Sequence, residues 1–353
     1  MATRLGPAAE ADLTTAATTA AIPASAGTTA TSAATAPPVR LWLQPAVIAL
    51  VVVAAFVGCY VGLQRNPQPH RVPVAVAGQK LSGEIRQVLG DTVDVHRVAD
   101  AATGRAEVER RDVVAALSRG AGSDRLRLQV GGANGQSTTT AVKSLIGAYA
   151  HGSDQRLTTV DVVPLARFDA RGLAGFYVAF GVTLAGFVLA QNALGLANHL
   201  HLRHRFWLLS GVSVAIGIIA TVIAGPVLGA VPAPVMPLAF ALSLLAAAAA
   251  FTTKLLGTYL GPVGVPVATL LLLTVGNSTS GAAIGPDLLP SAARAVSALL
   301  PPGAAVRAVT DLSYFHGAQA VQPLATLALW AAIAAVLVSL RPRLGRRRRR
   351  AEA

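Results

Sequence analysis

Six stretches of this chain are long and apolar enough to cross a lipid bilayer, and they constrain its fold more than anything else. They are residues 41–63, 172–197, 206–228, 233–251, 255–275 and 321–340, and none contains Asp, Glu, Lys, Arg or His. A hydrocarbon core of about 30 Å takes about 20 apolar residues as a helix. Inside it every backbone polar group must be satisfied by the protein itself, which favours helices. The composition agrees: 53% of residues are hydrophobic and 13% charged, against about 25% charged in an average soluble domain. An ordinary cytosolic enzyme, a collagen and a coiled coil are excluded. A disulfide scaffold is excluded too, because 353 residues hold one cysteine, Cys59. The fourth stretch is the shortest and opens among Pro232, Pro234 and Pro237; the fifth carries Gly257, Gly261, Pro262, Gly264 and Pro266. A kinked or broken helix is expected at the fifth.

Short-loop arginines and lysines set the orientation of such a chain. With the N-terminus inside, the cytoplasmic segments carry 12 basic residues: Arg4, Arg40, Arg203, Arg205, Lys254, Arg341, Arg343 and the run Arg346, Arg347, Arg348, Arg349 and Arg350. The loop between the third and fourth stretches carries none, and in residues 276–320 Arg294 and Arg307 are balanced by Asp287 and Asp311. Both termini are therefore expected in the cytoplasm of a multi-pass protein of the cytoplasmic membrane. Residues 1–40 are rich in Ala and Thr with little to bury, and read as a disordered cytoplasmic tail. Residues 341–353 form a basic cytoplasmic tail. Its arginine run is expected to engage anionic lipid rather than nucleic acid.

Residues 64–171 hold 11 of the 16 acidic and 15 of the 29 basic residues. This is the only part of soluble composition. Alternation marks strands at 72–77, 92–98, 112–117, 126–130 and 157–165, with helical patterns at 79–89, 99–108 and 137–150. Strands alternating with helices indicate a small α/β domain, which the topology places outside the cell. The expected fold class is thus mostly α: a polytopic membrane protein with six transmembrane helices and a small extracytoplasmic α/β domain between the first and second.

No motif carries an obvious chemistry. The turn Gly131-Gly132-Ala133-Asn134-Gly135 precedes Ser137 and Thr138, but the lysine of a phosphate loop is replaced by Gln136. His199, His201 and His204 cluster in one loop without Cys or carboxylate neighbours to close a ligand set. No catalytic constellation, cofactor site or metal site is expected, and the chain is not read as an enzyme. Gln191 and Asn192 are the main polar side chains inside an apolar stretch, where such groups more often bridge helices than bind solute. Gly58/Gly62, Gly225/Gly229 and Gly257/Gly261 have small-residue packing spacing.

The loop after the fifth stretch is the most specific segment. Leu288, Ala292, Val296 and Leu299 recur with helical spacing, followed by Val306, Val309 and Leu312. Two short amphipathic helices within residues 287–312 are expected, broken at Pro301-Pro302-Gly303. Each is too short to span, so they should lie at the outer interface or re-enter the membrane. Asn277, Ser280, Gly281, Leu289, Pro290, Leu300, Pro301, Pro302, Gly303, Ala304, Tyr314 and Phe315 match a pattern at the end of ABC-2-type permeases. In this and in its layout, residues 40–340 resemble those permeases and the related YhgE/Pip-like membrane proteins. The resemblance implies an export permease subunit, working as a homo- or heterodimer with a separate cytoplasmic ATPase. It makes Asn277, Ser280, Gly281, Leu289, Pro290, Pro301, Pro302 and Gly303 a candidate gate. An amphipathic elbow helix before Leu41, expected of that class, is absent from the pattern. The alternative is a non-transporting membrane protein whose outer domain binds a cell-envelope partner.

Overall fold

The computed structural model describes residues 40–65, 67–122, 124–196 and 201–351. The expectations for residues 1–39 and for His199 fall outside them. The chain divides between Gln44 and Pro45. Everything after that point, sheet region and helices alike, belongs to one compact unit.

Six helical spans are long and apolar enough to cross a membrane. The first, α1 (Arg40–Gln64), holds Cys59 half-buried. Its Gly58 and Gly62 meet no neighbour within 4 Å among the described residues. The others are α5 (Ala174–Gly195), α6 (Leu202–Val222), α7 (Val235–Tyr259), a composite fifth span over Gly261–Ser278, and α12 (Val321–Ala351). The α12 backbone runs on through the arginine run.

Small residues let these helices approach closely. A Cβ on Gly186 would fall 2.6 Å from the Ala246 carbonyl, and one on Gly257 2.4 Å from the Leu194 side chain. Gly229 and Gly261 instead adopt φ near +60°, which only glycine takes without strain. Of the three glycine pairs, Gly257 thus serves helix packing and Gly229 and Gly261 serve turns, while Gly58 and Gly62 pack on nothing among the described residues.

Two expectations about the spans are corrected. The fourth, read as the shortest, is a 25-residue helix that continues past Phe251 to Tyr259. It thereby carries Lys254, read from sequence as a loop cation. Lys254 is buried, with Nζ donating to the Ala193 carbonyl at 3.1 Å. Ala193 lies in the last turn of α5, where free carbonyls and the helix dipole favour a cation. Likewise Asn192 does not bridge helices: its Nδ2 donates to Val188 of the same helix at 3.0 Å. Gln191 beside it is half-buried. The fifth span is irregular, as its glycines and prolines require. It runs through a 3-10 turn, α8 (Gly264–Ala268), a π segment at Thr269–Val275 and the short α9 (Gly276–Ser278).

Between α1 and α5 lie β1 (Val72–Ala77), α2 (Gln79–Leu89), β2 (Val93–Val98), α3 (Ala101–Glu109), β3 (Ala115–Arg119), β4 (Arg125–Val130), α4 (Gln136–Gly152) and β5 (Arg156–Asp161). The third strand begins three residues later than the alternation suggested. The sheet order is β2-β1-β3-β4-β5, with only the β3–β4 pair antiparallel. Leu81 and Ile85 of α2 and Val142 and Ile146 of α4 cover one face, packing on Val72, Val74, Leu117, Leu126 and Leu128. The other face carries α3, whose Val108 packs with Ala75, Val98 and Ala116.

After the fifth span come α10 (Ser291–Leu299) and α11 (Pro301–Tyr314). Two helices were expected here, but not this break. The interruption is the single extended residue Leu300, with ψ 146°. Pro301 and Pro302 open the second helix instead of ending the first. The residue before a proline is pushed out of the helical region, and proline itself is well placed in a first helical turn. Gly303 does not make a reversal. A Cβ there would fall 2.3 Å from the Ser297 carbonyl oxygen, so its role is close approach.

The α10 helix does not bury its whole apolar stripe in the protein; Val296 is half-buried. Ser297 is buried and Arg294 half-buried, whereas Leu299 is 66% exposed and Ala292 exposed. An apolar side turned away from the protein suits a helix lying in the membrane interface.

Candidate functional site

The second short helix, α11, is among the most deeply buried elements. Pro301 to Val306, Ala308, Val309, Asp311 and Leu312 are buried, packed against α5, α7 and α12. Its C-terminal end leaves the helices and enters the sheet region. Phe315, 1% exposed, sits among Ala75, Val98, Val108, Val113 and Ala116. The helix is thus held at one end by spans and at the other by the sheet.

Arg111 clasps this junction from the sheet side. It follows α3 with φ +63°, a left-handed conformation that is uncommon for a side-chain-bearing residue. Its Nη1 lies 3.0 Å from Asp311 Oδ1 and donates to the Arg307 carbonyl at 3.4 Å; its guanidinium lies 5.2 Å from the Phe315 ring centroid. Asp311 is 1% exposed. Burial pushes its carboxyl above the usual carboxylate range, against the pull of Arg111. Arg307, one helical turn before it, reaches back to the end of α10. Its Nη1 donates to the Ser297 carbonyl at 3.1 Å and its Nη2 to the Ala298 carbonyl at 3.1 Å. Burial, helped by the like charge of Arg111, lowers its pKa.

Around these groups opens a cleft of about 540 Å³ between sheet region and helices. Its walls include Arg111, Asn134, Thr138, Asp287, Arg307, Asp311, Gln319 and Gln322. Thr138 Oγ1 and Asn134 Nδ2 are buried there without a hydrogen-bond partner among the described residues. Asp287 is raised by its burial, opposed by Arg294 and Arg111. A smaller cavity of about 40 Å³ shares Arg111, Asn134, Pro286 and Arg307, and is completed by Ser280, Gly281, Asp169 and Tyr314. The cleft offers charge and hydrogen bonds of both signs, which suits it to holding a polar solute.

Further polar links join the two parts. Ser137 Oγ accepts from the Gly285 N–H at 3.1 Å, and Gln319 Nε2 donates to Asp112 at 3.0 Å. Tyr314 donates to Asp169 Oδ2 at 3.0 Å, while Asp169 Oδ1 accepts from the N–H groups of Leu173 and Ala174 and so caps the start of α5. Burial, then the Asp169 carboxylate, pushes the Tyr314 phenol from 10.0 up to about 12. A raised folded value means that the phenol's share of stability is full below pH 10.0 and is lost as the pH climbs to about 12. Alkaline ultraviolet titration of the intact protein should therefore show a tyrosine component at about 12 that Tyr314→Phe removes. The stability margin of the native chain over that variant should shrink across the same interval. An unchanged titration curve would place the late phenol elsewhere.

The residues of the candidate gate fall in separate surroundings, and only Pro302 comes close to the segment that holds Asn277. A Cβ on Gly276 would press on Pro302, and one on Gly281 on Pro286. Asn277 is buried, with Nδ2 donating to the Leu273 carbonyl at 3.3 Å and Oδ1 without a partner among the described residues. Ser280 and Gly281 face the smaller cavity, and Pro290 precedes α10. Leu289 is buried with Ile284 and Leu288. His201 and His204 lie apart from the cleft-lining residues, at the start of α6, with ring centroids 5.9 Å apart.

Sequence reasoning missed Arg111, Arg307 and Asp311 as a group, and Asp169. One signal was available: Arg307 and Asp311, four residues apart, are the charges of an otherwise apolar helical stretch. Nothing in the sequence pointed from them to Arg111. No family model, curated protein or solved structure matches the chain.

Proposed function

We propose that the chain is a membrane permease subunit of the ABC-2 export type, moving an unidentified solute across the cytoplasmic membrane with a separate ATPase. The observation that carries this is α11. Its 14 residues reach about 21 Å at 1.5 Å per residue, too short to cross a core of about 30 Å. Yet the helix is buried among spans and carries Arg307 and Asp311 beside a polar cleft. A protein that needs only an anchor has no use for a charged half-helix packed inside its bundle. Ionisable groups at such depth are costly and mark solute pathways more often than structure. In this reading α10 and α11 re-enter from the outer side, the cleft is the outer vestibule, and the sheet region is its extracytoplasmic lid. Both termini are cytoplasmic.

The alternative reading, an envelope-binding membrane protein, draws support from one observation: Arg125, Arg127 and Arg156 stand exposed on the neighbouring strands β4 and β5.

Two measurements test the proposal. Reporters fused after Arg40, Leu202 and Gly345 should read cytoplasmic, and those at Gly120 and Leu300 should read outside. Chain captured from cross-linked native membranes should bring down ATP hydrolysis, and Asp311→Ala should uncouple that hydrolysis from its stimulation in vesicles. A cytoplasmic signal at Gly120, or capture without any ATPase activity, would overturn it.

A further inference from the structure

We infer that the bare corner of the sheet on strands β4 and β5 binds an extended anionic polymer, with Arg125, Arg127 and Arg156 as its contacts. Strand β4 begins Arg125-Leu126-Arg127-Leu128. Leu126 and Leu128 are buried under α2 and α4, so by alternation both arginines stand on the opposite face. The register sets Arg156 directly beside Arg125, and Thr158 beside Arg127. All four are exposed. Helix α3 covers β1 and β3 on this face but leaves this corner bare.

Stability does not account for the arrangement. Like charges directly opposite one another in a sheet are destabilising. Asp124 lies 3.4 Å from Arg156, but with side chains 49% and 76% exposed the pair is weak. Arg125 and Arg127 form no ion pair among the described residues. A charge on an edge strand guards against unwanted pairing, and that reason serves Arg156 on β5. It does not serve Arg125 and Arg127, because β4 is an interior strand.

The spacing indicates the ligand. Two residues along a strand span about 7 Å, and the neighbouring strand lies about 5 Å away. Three guanidinium groups so placed match an extended chain that offers an anionic group at that interval or more often. A bilayer surface fits less well. Helix α3 stands about 10 Å proud of the same face and would hold a flat surface off the arginines, whereas a single polymer chain fits alongside it. This inference stands whether or not the helices transport.

The test uses the full chain in nanodiscs of neutral lipid, with long-chain inorganic polyphosphate as the probe. The double variant Arg125→Gln/Arg127→Gln should bind at least about tenfold more weakly, and its salt dependence should flatten by about 0.7 in log–log slope per arginine removed. Lys80→Gln/Lys143→Gln removes the same charge from exposed positions of α2 and α4, on the other side of the sheet, and should leave binding nearly unchanged. Without polymer, the arginine variant should melt no lower than the native chain, since a repulsion is relieved. Equal losses in both variants would mean attraction by net charge alone and would overturn the inference. So would arginine-dependent binding to anionic vesicles without binding to polyphosphate, an arginine variant that melts lower, or no polyphosphate binding at all.

Discussion

Arg111→Ala should cost the protein about 3–5 kcal/mol of stability, the usual penalty for removing one partner of a buried ion pair. Asp311, whose side chain is 2% exposed, would lose the cation 3.0 Å away. Burial already pushes this carboxyl upward, and without Arg111 nothing as close opposes that push, so the raised value should rise further. The sign of the pH dependence follows. A folded value raised above the unfolded one gives stability that is present at low pH and lost as the pH rises. The deficit of Arg111→Ala should therefore shrink on acidification, and Asp311→Asn should remove most of that pH dependence. Replacing both partners by apolar residues, Arg111→Met with Asp311→Leu, should be far milder than either single truncation, because no charge is left stranded. Thermal melts of the full chain in nanodiscs across a pH series would check all three. A single variant as stable as the native chain would show that the clasp at the junction is not an energetic one.

Gly303→Ala should be the more damaging change within Pro301-Pro302-Gly303, although alanine is the better helix former. The added methyl would fall 2.3 Å from the Ser297 main-chain oxygen and 2.9 Å from its hydroxyl. A backbone carbonyl cannot swing aside as a flexible side chain can. The end of α10 would have to leave α11, taking the Arg307 hydrogen bonds with it, at a cost at or above the roughly 1–3 kcal/mol of ordinary overpacking. Pro301→Ala/Pro302→Ala should cost about 1–2 kcal/mol in all, mainly from greater freedom of the unfolded chain. The comparison discriminates between two pictures of the motif. If the prolines were the reversal itself, their loss would be the graver one. Melting temperatures in that order would refute the close-approach account of Gly303.

Much of this architecture was readable beforehand, for physical reasons that also set the limits. The spans could be read because hydrocarbon admits so few solutions to the backbone's hydrogen bonds. Their ends could not, because a cation such as Lys254 can be buried when a helix C-terminus receives it. Helix α2 and strands β1 and β2 followed from alternation and helical period. The sheet order did not, since local pattern says nothing about which strand lies beside which. The α10 helix shows a subtler limit. Its amphipathic period was correct, but periodicity does not say whether the apolar side meets protein or bilayer. At Leu300 the cause was legible and its location was not: the proline acts on the residue before it. The cleft was the least legible, because its charges come from distant parts of the chain and only the folded junction brings them together.

That separation has a consequence for how the protein is made. Arg111 and Arg307 are 196 residues apart, and synthesis proceeds at about 5–20 residues per second. The last strand ends at Asp161 and α11 begins at Pro301, so the sheet region can complete its strands about 7–30 seconds before α11 leaves the ribosome. Throughout that interval the slot for Phe315 is open, and Arg111 waits without its carboxylate. The cleft is among the last features the chain acquires, assembled only when the closing helix has been delivered. A chain stopped short of Asp311 would still form its sheet and its first five spans, but would carry an open apolar slot on the sheet. Quality control could recognise an incomplete copy by that slot.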